Sequence, residues 1–409
     1  MTVRDAFVVA ARRTPIGRVG GMLRHLRVED LGAAVIRAVI EDIATAGVAV
    51  DEVILGNSWG PGGNPARVAA IAAGLPASVP AVTVDRQCAS GLEAINLAAR
   101  LVQSGAADVC LAGGAESVST APWRVEKPAT VYQSPAFVDR ARFAPQHVGL
   151  SDEPTAVADP DMGVAADAVA RAYGVTRERQ DAFALASHPK ALAAADAGRF
   201  DTEVVVLPGA GTTAACDTTG DARRTRDESP RGRLTMRALS GLRPAFGADG
   251  TVTAGNASPV NDGAAVVAVV SPRVRDAMGL PHALRFVDGV AAGVDPQLPG
   301  TGPIAATRRL LERVGMDMQD IDLVEVTEAF AGQTLACLDA LRIPEDRVNL
   351  GGGAIALGHP WGASGAVLMT RLFTEMVRSP QAGTSPRCGL ATVAGAGGVG
   401  VATLVERHT

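Results

Sequence analysis

Cys88 has the sequence surroundings of a nucleophile. It sits in Asp85-Arg86-Gln87-Cys88-Ala89-Ser90-Gly91, between the apolar run Ala81-Val82-Thr83-Val84 and a helical stretch, Leu92 to Val102. That order predicts a thiol at the first turn of a helix, where unpaired N–H groups and the positive end of the helix dipole favour a thiolate. His359 is the candidate base. It stands in Gly358-His359-Pro360 after the small-residue run Gly351-Gly352-Gly353-Ala354, so its backbone is tightly fixed. An imidazole beside a thiol can take its proton and later return it. Taken alone, a Gly-His-Pro turn is more often structural than catalytic. Glu328 follows the strand-like Leu323 to Val326. It could serve as a base or pin a loop by hydrogen bonding; nothing local decides, and the pin is the simpler reading. The polar stretch Thr251 to Ser258, with Asn261 to Ala265, forms a turn between apolar strands that can offer backbone groups to a ligand.

These groups need a large scaffold, and the chain has one. Its 409 residues are enough for two or three domains, and 47% are hydrophobic against 20% charged. Mean hydropathy is +0.17, the profile of a globular protein with a large core. The net charge of −5 argues against nucleic acid and anionic membranes as main partners. Cys88, Cys110, Cys216, Cys337 and Cys388 are odd in number and show no metal-ligand spacing. They read as reduced thiols in a cytoplasmic enzyme. No secretory signal and no uninterrupted apolar stretch of membrane-spanning length is visible.

Strand-like runs recur at Ala6 to Ala10, Glu52 to Leu55, Val82 to Val84, Asp108 to Ala112, Val252 to Ala254 and Ala264 to Val270, separated by helical patterns such as Asp30 to Ile43. The alternation predicts an α/β fold. Part of the pattern occurs twice. Cys88-Ala89-Ser90-Gly91 opens a helix ending near Gly105, followed by an apolar strand into Gly113-Gly114. Gly362-Ala363-Ser364-Gly365 opens a second helix, followed by the strand Gly389 to Val393 and the turn Gly395-Ala396-Gly397-Gly398. Duplication of one unit is the favoured explanation; the alternative is that small capping residues are common at helix starts. In a duplicated fold, Cys88 and His359 would both lie at helix-start loops facing a shared cleft. Residues 121–243 differ from both repeats and read as an inserted lobe. It has helical patterns over Met162 to Tyr173 and Arg177 to Ala197, the second opened by a Thr176 cap. Its arginines, Arg223, Arg224, Arg226, Arg231, Arg233 and Arg237, suit either a solvated surface or a grip on a phosphorylated ligand.

The chain resembles the thiolase family from end to end. The resemblance rests on Asn64-Pro65-Ala66-Arg67, Cys88 to Gly91, Ala112-Gly113-Gly114 with Glu116-Ser117, Leu242 to Phe246, Gly250 to Ser258, Asn261 to Ala265, Glu328-Ala329-Phe330, Gly353 to Pro360 and Gly362 to Gly365. It implies duplicated βαβαβαββ halves in a five-layer αβαβα core with an inserted loop domain. The expected division is 1–120 with 244–275 as the N-terminal half, 121–243 as the insertion, and 276–409 as the C-terminal half. It implies a homodimer or homotetramer, no cofactor or metal, and an acyl-CoA or carrier-bound thioester as substrate. By resemblance, Cys88 accepts the acyl group and His359 is its base. Backbone N–H groups of Cys88 and Ala396 form one oxyanion hole, Thr327 and Glu328 adjoin the cleft, and Arg231, Met162, Ala254, Ser258, Ala329 and Phe330 match coenzyme A-binding positions.

Two departures bear on the reaction. Ala394 stands where the family has its second catalytic cysteine, which moves the α-carbon proton of the second thioester. Cys388, six positions upstream at about 3.3 Å per residue, is too far away to replace it. Thr327 stands where the family has the asparagine that holds an enolate-stabilising water. Asp161, Pro299 and Trp361 also depart from the usual residues around the cleft. Acyl transfer to Cys88 therefore reads as intact, while the second half-reaction needs decarboxylation, a heteroatom acceptor or another base. The competing reading is a non-catalytic, thiolase-like subunit or scaffold that binds acyl-CoA.

Overall fold

The computed structural model describes residues 4–44, 47–128, 130–138, 160–207, 226–378 and 386–408. Cys216, Arg223 and Arg224 lie outside the described residues. The chain begins with β1 (Phe7–Arg13), β2 (Gly17–Arg18), α1 (Val28–Ile43), β3 (Glu52–Gly56), α2 (Pro65–Ala72), β4 (Ala81–Val84), α3 (Ser90–Ser104) and β5 (Val109–Glu116). Next come the short hairpin β6 (Arg124–Glu126) and β7 (Ala136–Val138), then α4 (Met162–Ala172), α5 (Arg177–Asp196) and α6 (Met236–Ser240). β8 (Asn261–Val270) returns to the first sheet, and α7 (Pro272–Met278) follows. The remainder is β9 (Ala283–Gly293), α8 (Gly302–Val314), β10 (Leu323–Val326), α9 (Ala331–Leu341), α10 (Ala354–Leu357), α11 (Trp361–Phe373), β11 (Cys388–Gly395) and β12 (Val399–His408).

The duplication is visible in strand order. The first unit runs β1-β8-β5-β3-β4 and the second runs β9-β12-β11-β10, with a parallel bridge from Val324 to Val348 where the counterpart of β4 would lie. The two units join through β1 and β9, which pair at only Phe7–Arg285 and Val8–Leu284. Five layers result. α1 and α2 cover the outer face of the first unit, α8 and α9 that of the second, and α3 and α11 fill the space between the sheets. β8 shows why its sequence is almost wholly apolar: Ala265, Val267 and Val269 face the central layer, while Ala264, Val266, Ala268 and Val270 face α1 and α2.

The repeated Ala-Ser-Gly has a steric reason. A Cβ added at Gly91 would lie 2.7 Å from the Gly362 carbonyl oxygen, and one at Gly365 would lie 2.5 Å from the Leu92 nitrogen. The two central helices therefore touch backbone to backbone at their N-terminal turns. Local signals held at the helix ends as well. The Thr176 hydroxyl accepts from Arg179 N–H at the start of α5, and Gly105 closes α3 at φ +84°.

Val252 to Ala254 does not form the expected strand. Side chains take the backbone groups a ladder would need. The Asp167 carboxylate accepts from the N–H groups of Thr251 and Val252, and Asn256 Oδ1 accepts from that of Thr253. Among the described residues, no helix is long and apolar enough to cross a membrane.

Candidate active site

Cys88 is half-buried and lies two residues ahead of α3, outside its first turn. The loop that presents it is rigid. Gln87 adopts φ +53°, a left-handed conformation rare for a residue with a side chain. The Ser90 hydroxyl donates to the Gln87 carbonyl at 2.6 Å and accepts from Arg86 N–H at 2.8 Å. The environment does not favour a resting thiolate, contrary to the expectation from sequence. Burial is the main influence and pushes the thiol up to about 12; the Glu116 and Asp85 carboxylates push the same way, against a hydrogen bond from its own N–H. Loss of hydration outweighs the helix terminus, so Cys88 rests as a thiol and needs a base.

His359 lies two residues ahead of α11, in the loop that leads into the counterpart of α3; Gly362 is the residue that aligns with Cys88 in the repeat. Gly358 precedes it at φ +115°, with Asn261 so close that an added Cβ would lie 2.5 Å from the amide carbon. Asn261 Oδ1 in turn accepts from His359 N–H at 3.0 Å. The ring is buried. Nδ1 bonds the Ser364 hydroxyl at 2.7 Å, and Nε2 has no protein partner among the described residues. Burial lowers the imidazole to about 4, so it is neutral near pH 7. A neutral ring with one nitrogen held and the other unpartnered is poised to accept a proton.

Glu116 ties the loop after β3 to the start of α11. Its carboxylate accepts from Gly362 N–H at the start of α11, from Ser58 and Trp59 N–H, and from the Asn57 side chain. Burial nevertheless raises it to about 7. Sequence reading matched Glu116 to a motif but assigned it no role; its signal is a carboxylate ending an otherwise apolar strand. The β11–β12 turn closes another side: a Cβ at Gly395 would lie 2.8 Å from the Arg86 carbonyl oxygen and 3.8 Å from Ala89 Cβ. Ala396 is half-buried in that turn, one residue beyond β11. Ala394 is the penultimate residue of β11, opposite Gly400, and Cys388 begins the same strand.

The other named residues fall into three groups. Ser258 N–H donates to the Ala329 carbonyl, Ala257 bridges to Phe330, and Phe330 meets Phe246 edge-on at 6.4 Å. Gly163 is packed against the Phe246 ring, with Met162 beside it at the start of α4. Asp161, one of the departures, caps that helix by accepting from Gly163 N–H at 2.9 Å. The structure thus gathers Met162, Ser258, Ala329 and Phe330. Ala254 is exposed on the same turn. Arg231 is exposed on the segment leading to α6, its N–H donating to His188 Nδ1; Leu239 of α6 packs on Gly255. Glu328 is enclosed by Asn349 Nδ2, the Ser187 hydroxyl and Ile355 N–H, all of which donate to it. Thr327 is buried, and its hydroxyl has no partner among the described residues. Trp361 meets Trp59 edge-on at 6.1 Å, and Arg124 lies over Trp59 at 4.7 Å.

A duplicated five-layer core with a cysteine and a histidine at matching helix starts defines a class, and comparison with known proteins agrees. Residues 6–273 match the family description "Thiolase, N-terminal domain" and residues 281–407 match "Thiolase, C-terminal domain". The chain belongs to the thiolase family. An acetyl-CoA acetyltransferase of Pseudomonas aeruginosa is 44% identical over 412 residues, covering 99% of this chain and 100% of the relative. The crystal structure of the Bacillus anthracis acetyl-CoA acetyltransferase superposes with a TM-score of 0.86 at 36% identity, covering 100% of both chains.

Proposed function

We propose that the protein is a thiolase-type acyltransferase that moves an acyl group from an acyl-CoA or carrier-bound thioester onto Cys88. Its sulfur attacks the thioester carbonyl carbon while His359 Nε2 takes the thiol proton. The carbonyl oxygen becomes an oxyanion within reach of the N–H groups of Cys88 and Ala396. Collapse breaks the carbon–sulfur bond to coenzyme A, and His359 returns the proton to the departing thiolate. The observation that carries this reading is the contact between the N-terminal turns of α3 and α11, which brings the Cys88 and His359 loops to one end of the central layer. The neutral, unpartnered Nε2 supports it. Arg231, Met162, Ala254, Ser258, Ala329 and Phe330 would line the coenzyme A path.

The second half-reaction passes the acyl group to a carbon or heteroatom acceptor. Alanine at position 394 holds no proton, so a carbon nucleophile has to arise by decarboxylation or with another base. The same reading divides the chain into two halves around an inserted lobe over 121–243 and includes a cytoplasmic homodimer or homotetramer, which sedimentation in solution tests. The catalytic test is intact-protein mass spectrometry after mixing with acetyl-CoA and longer acyl-CoAs. The expected result is a gain of one acyl group, absent in Cys88→Ala. No gain with any thioester overturns the proposal.

A further inference from the structure

Beside His359, with Gly358 and Pro360 in its wall, lies a small cavity of about 20 Å³, also lined by Glu325, Thr327, Leu357, Ser364 and Arg371. A cavity of this size holds one water molecule when two or more polar groups face it. The polar groups are present. Ser364 supplies the hydroxyl that bonds His359 Nδ1. Thr327 Oγ1 and Arg371 Nε are buried without protein partners among the described residues. Glu325 lies in β10 between Val324 and Val326, which face the outer layer with α8 and α9, so its own side chain faces the central layer and α11.

Glu325 is the carboxylate of its cluster that makes no ion pair among the described residues. Arg371 bonds Glu203 and Glu375 at 2.6 Å each, Arg13 bonds Glu203 and Asp227 at 2.7 Å each, and Arg199 also pairs with Glu375. Arg13, Arg199 and Arg371 thus pair with Glu203, Asp227 and Glu375, and Arg378 adds a guanidinium that faces Glu203, Asp42, Arg12 and Arg371. Glu325 stands against this set with Glu328 also close, and among the described residues it has no ion pair of its own. Burial is the main influence, and Glu203, Glu328 and Glu375 add to it against Arg371; the carboxyl rises to about 8.

We propose that Glu325 is the proton acceptor behind His359, reached through the Ser364 hydroxyl and one water held in this cavity. The inference rests on the pairing of Cys88 with His359. In the relay the Cys88 S–H bond breaks, its electron pair stays on sulfur, and the proton forms an N–H bond at Nε2. The Nδ1 proton passes to Ser364, the Ser364 proton passes to the water, and a water proton passes to the Glu325 carboxylate. Negative charge moves from Glu325 to the Cys88 sulfur, and the imidazole is neutral at both ends. That removes the need for a buried imidazolium, which the surroundings of His359 disfavour. It also gives the protein a second internal proton position where Ala394 offers none. Glu325 and Ser364 act through His359 and are positioning residues.

The test is the pH profile of Cys88 alkylation by iodoacetamide, which needs no thioester. It is run on wild type, Glu325→Gln, Ser364→Ala and Ser364→Thr, with circular dichroism to confirm folding. The wild-type rate is expected to rise through an ionisation near pH 8, where the Glu325 carboxyl loses its proton. Glu325→Gln and Ser364→Ala should lose that limb and react at least about tenfold more slowly at pH 8, while Ser364→Thr keeps it. A wild-type profile in folded Glu325→Gln overturns the proposal. If that variant does not fold, a wild-type profile in Ser364→Ala overturns it. Acetyl-CoA mass gain on Cys88 is scored separately. A gain in wild type with unchanged profiles in the variants rejects the relay alone, and no gain in wild type rejects the acyltransferase reading.

Discussion

In the proposed reaction, the reactivity of Cys88 depends on the side chains around it. Its thiol is held high by burial and by Glu116 and Asp85, so replacing Glu116 removes one of the groups that raise it. Glu116→Gln keeps an acceptor for Gly362 N–H and is expected to lower the Cys88 ionisation, read from the pH dependence of iodoacetamide alkylation. An unchanged or higher ionisation would contradict the assignment. Ala394 is expected to limit ordinary carbon–carbon chemistry. Ala394→Cys should raise acetoacetyl-CoA cleavage at least about tenfold, the lower range for a positioned acid or base being about 10²-fold. No rise would shift the barrier to Thr327. Cys88, His359, Ala394 and Thr327 stand out in the sequence because each lies in or departs from a motif. The state of the thiol was not legible there, since it is set mainly by burial and then by Glu116, both of which depend on folding.

The two central helices show how much a small motif can encode. Gly91 and Gly365 let α3 and α11 meet at backbone distance, so Gly91→Ala and Gly365→Ala each introduce a methyl group where none fits. Each is expected to destabilise the protein by about 1–3 kcal/mol, measured by urea unfolding, and to slow acylation by separating the Cys88 and His359 loops. Stability and acylation at wild-type levels would mean that the contact is not what aligns them. Thr176→Ala, at the start of α5 and away from this contact, should cost about 1 kcal/mol and leave acylation intact. Helix starts were the most readable elements, because Thr176 and the Ala-Ser-Gly pair act locally. The failed strand at Val252 to Ala254 was unreadable for the opposite reason: Asp167, more than eighty positions away, takes the N–H groups of Val252 and of Thr251 just before it.

The molecule as a whole buries carboxylates between its layers. Glu116 and Glu325 rise to about 7 and about 8 in the fold. The folded state therefore binds more protons than the unfolded chain between the ordinary glutamate range and those values. Their contribution is fully present below about pH 4.5 and is lost as pH rises through 7 and 8. His359, lowered to about 4, acts on the other side: its contribution is lost as pH falls from about 6.5 towards 4. Glu325→Gln should flatten the alkaline decline of the melting temperature between pH 6 and 9, and a decline of wild-type steepness would contradict a raised Glu325. The two-unit plan was visible in the sequence through its repeat. The joining of the units by two residue pairs of β1 and β9, and the small cavity beside His359, arise from chain segments far apart and had no local signature.

The central claim is that Cys88 and His359, brought in from different units, act on one thioester. It is tested most directly by the single-turnover rate of Cys88 acylation by acetyl-CoA in wild type and in His359→Ala. The predicted result is a loss of about 10²- to 10⁴-fold near neutral pH in folded protein, with the acyl group still on Cys88. An acylation rate equal to wild type in His359→Ala would show that the imidazole does not serve that sulfur.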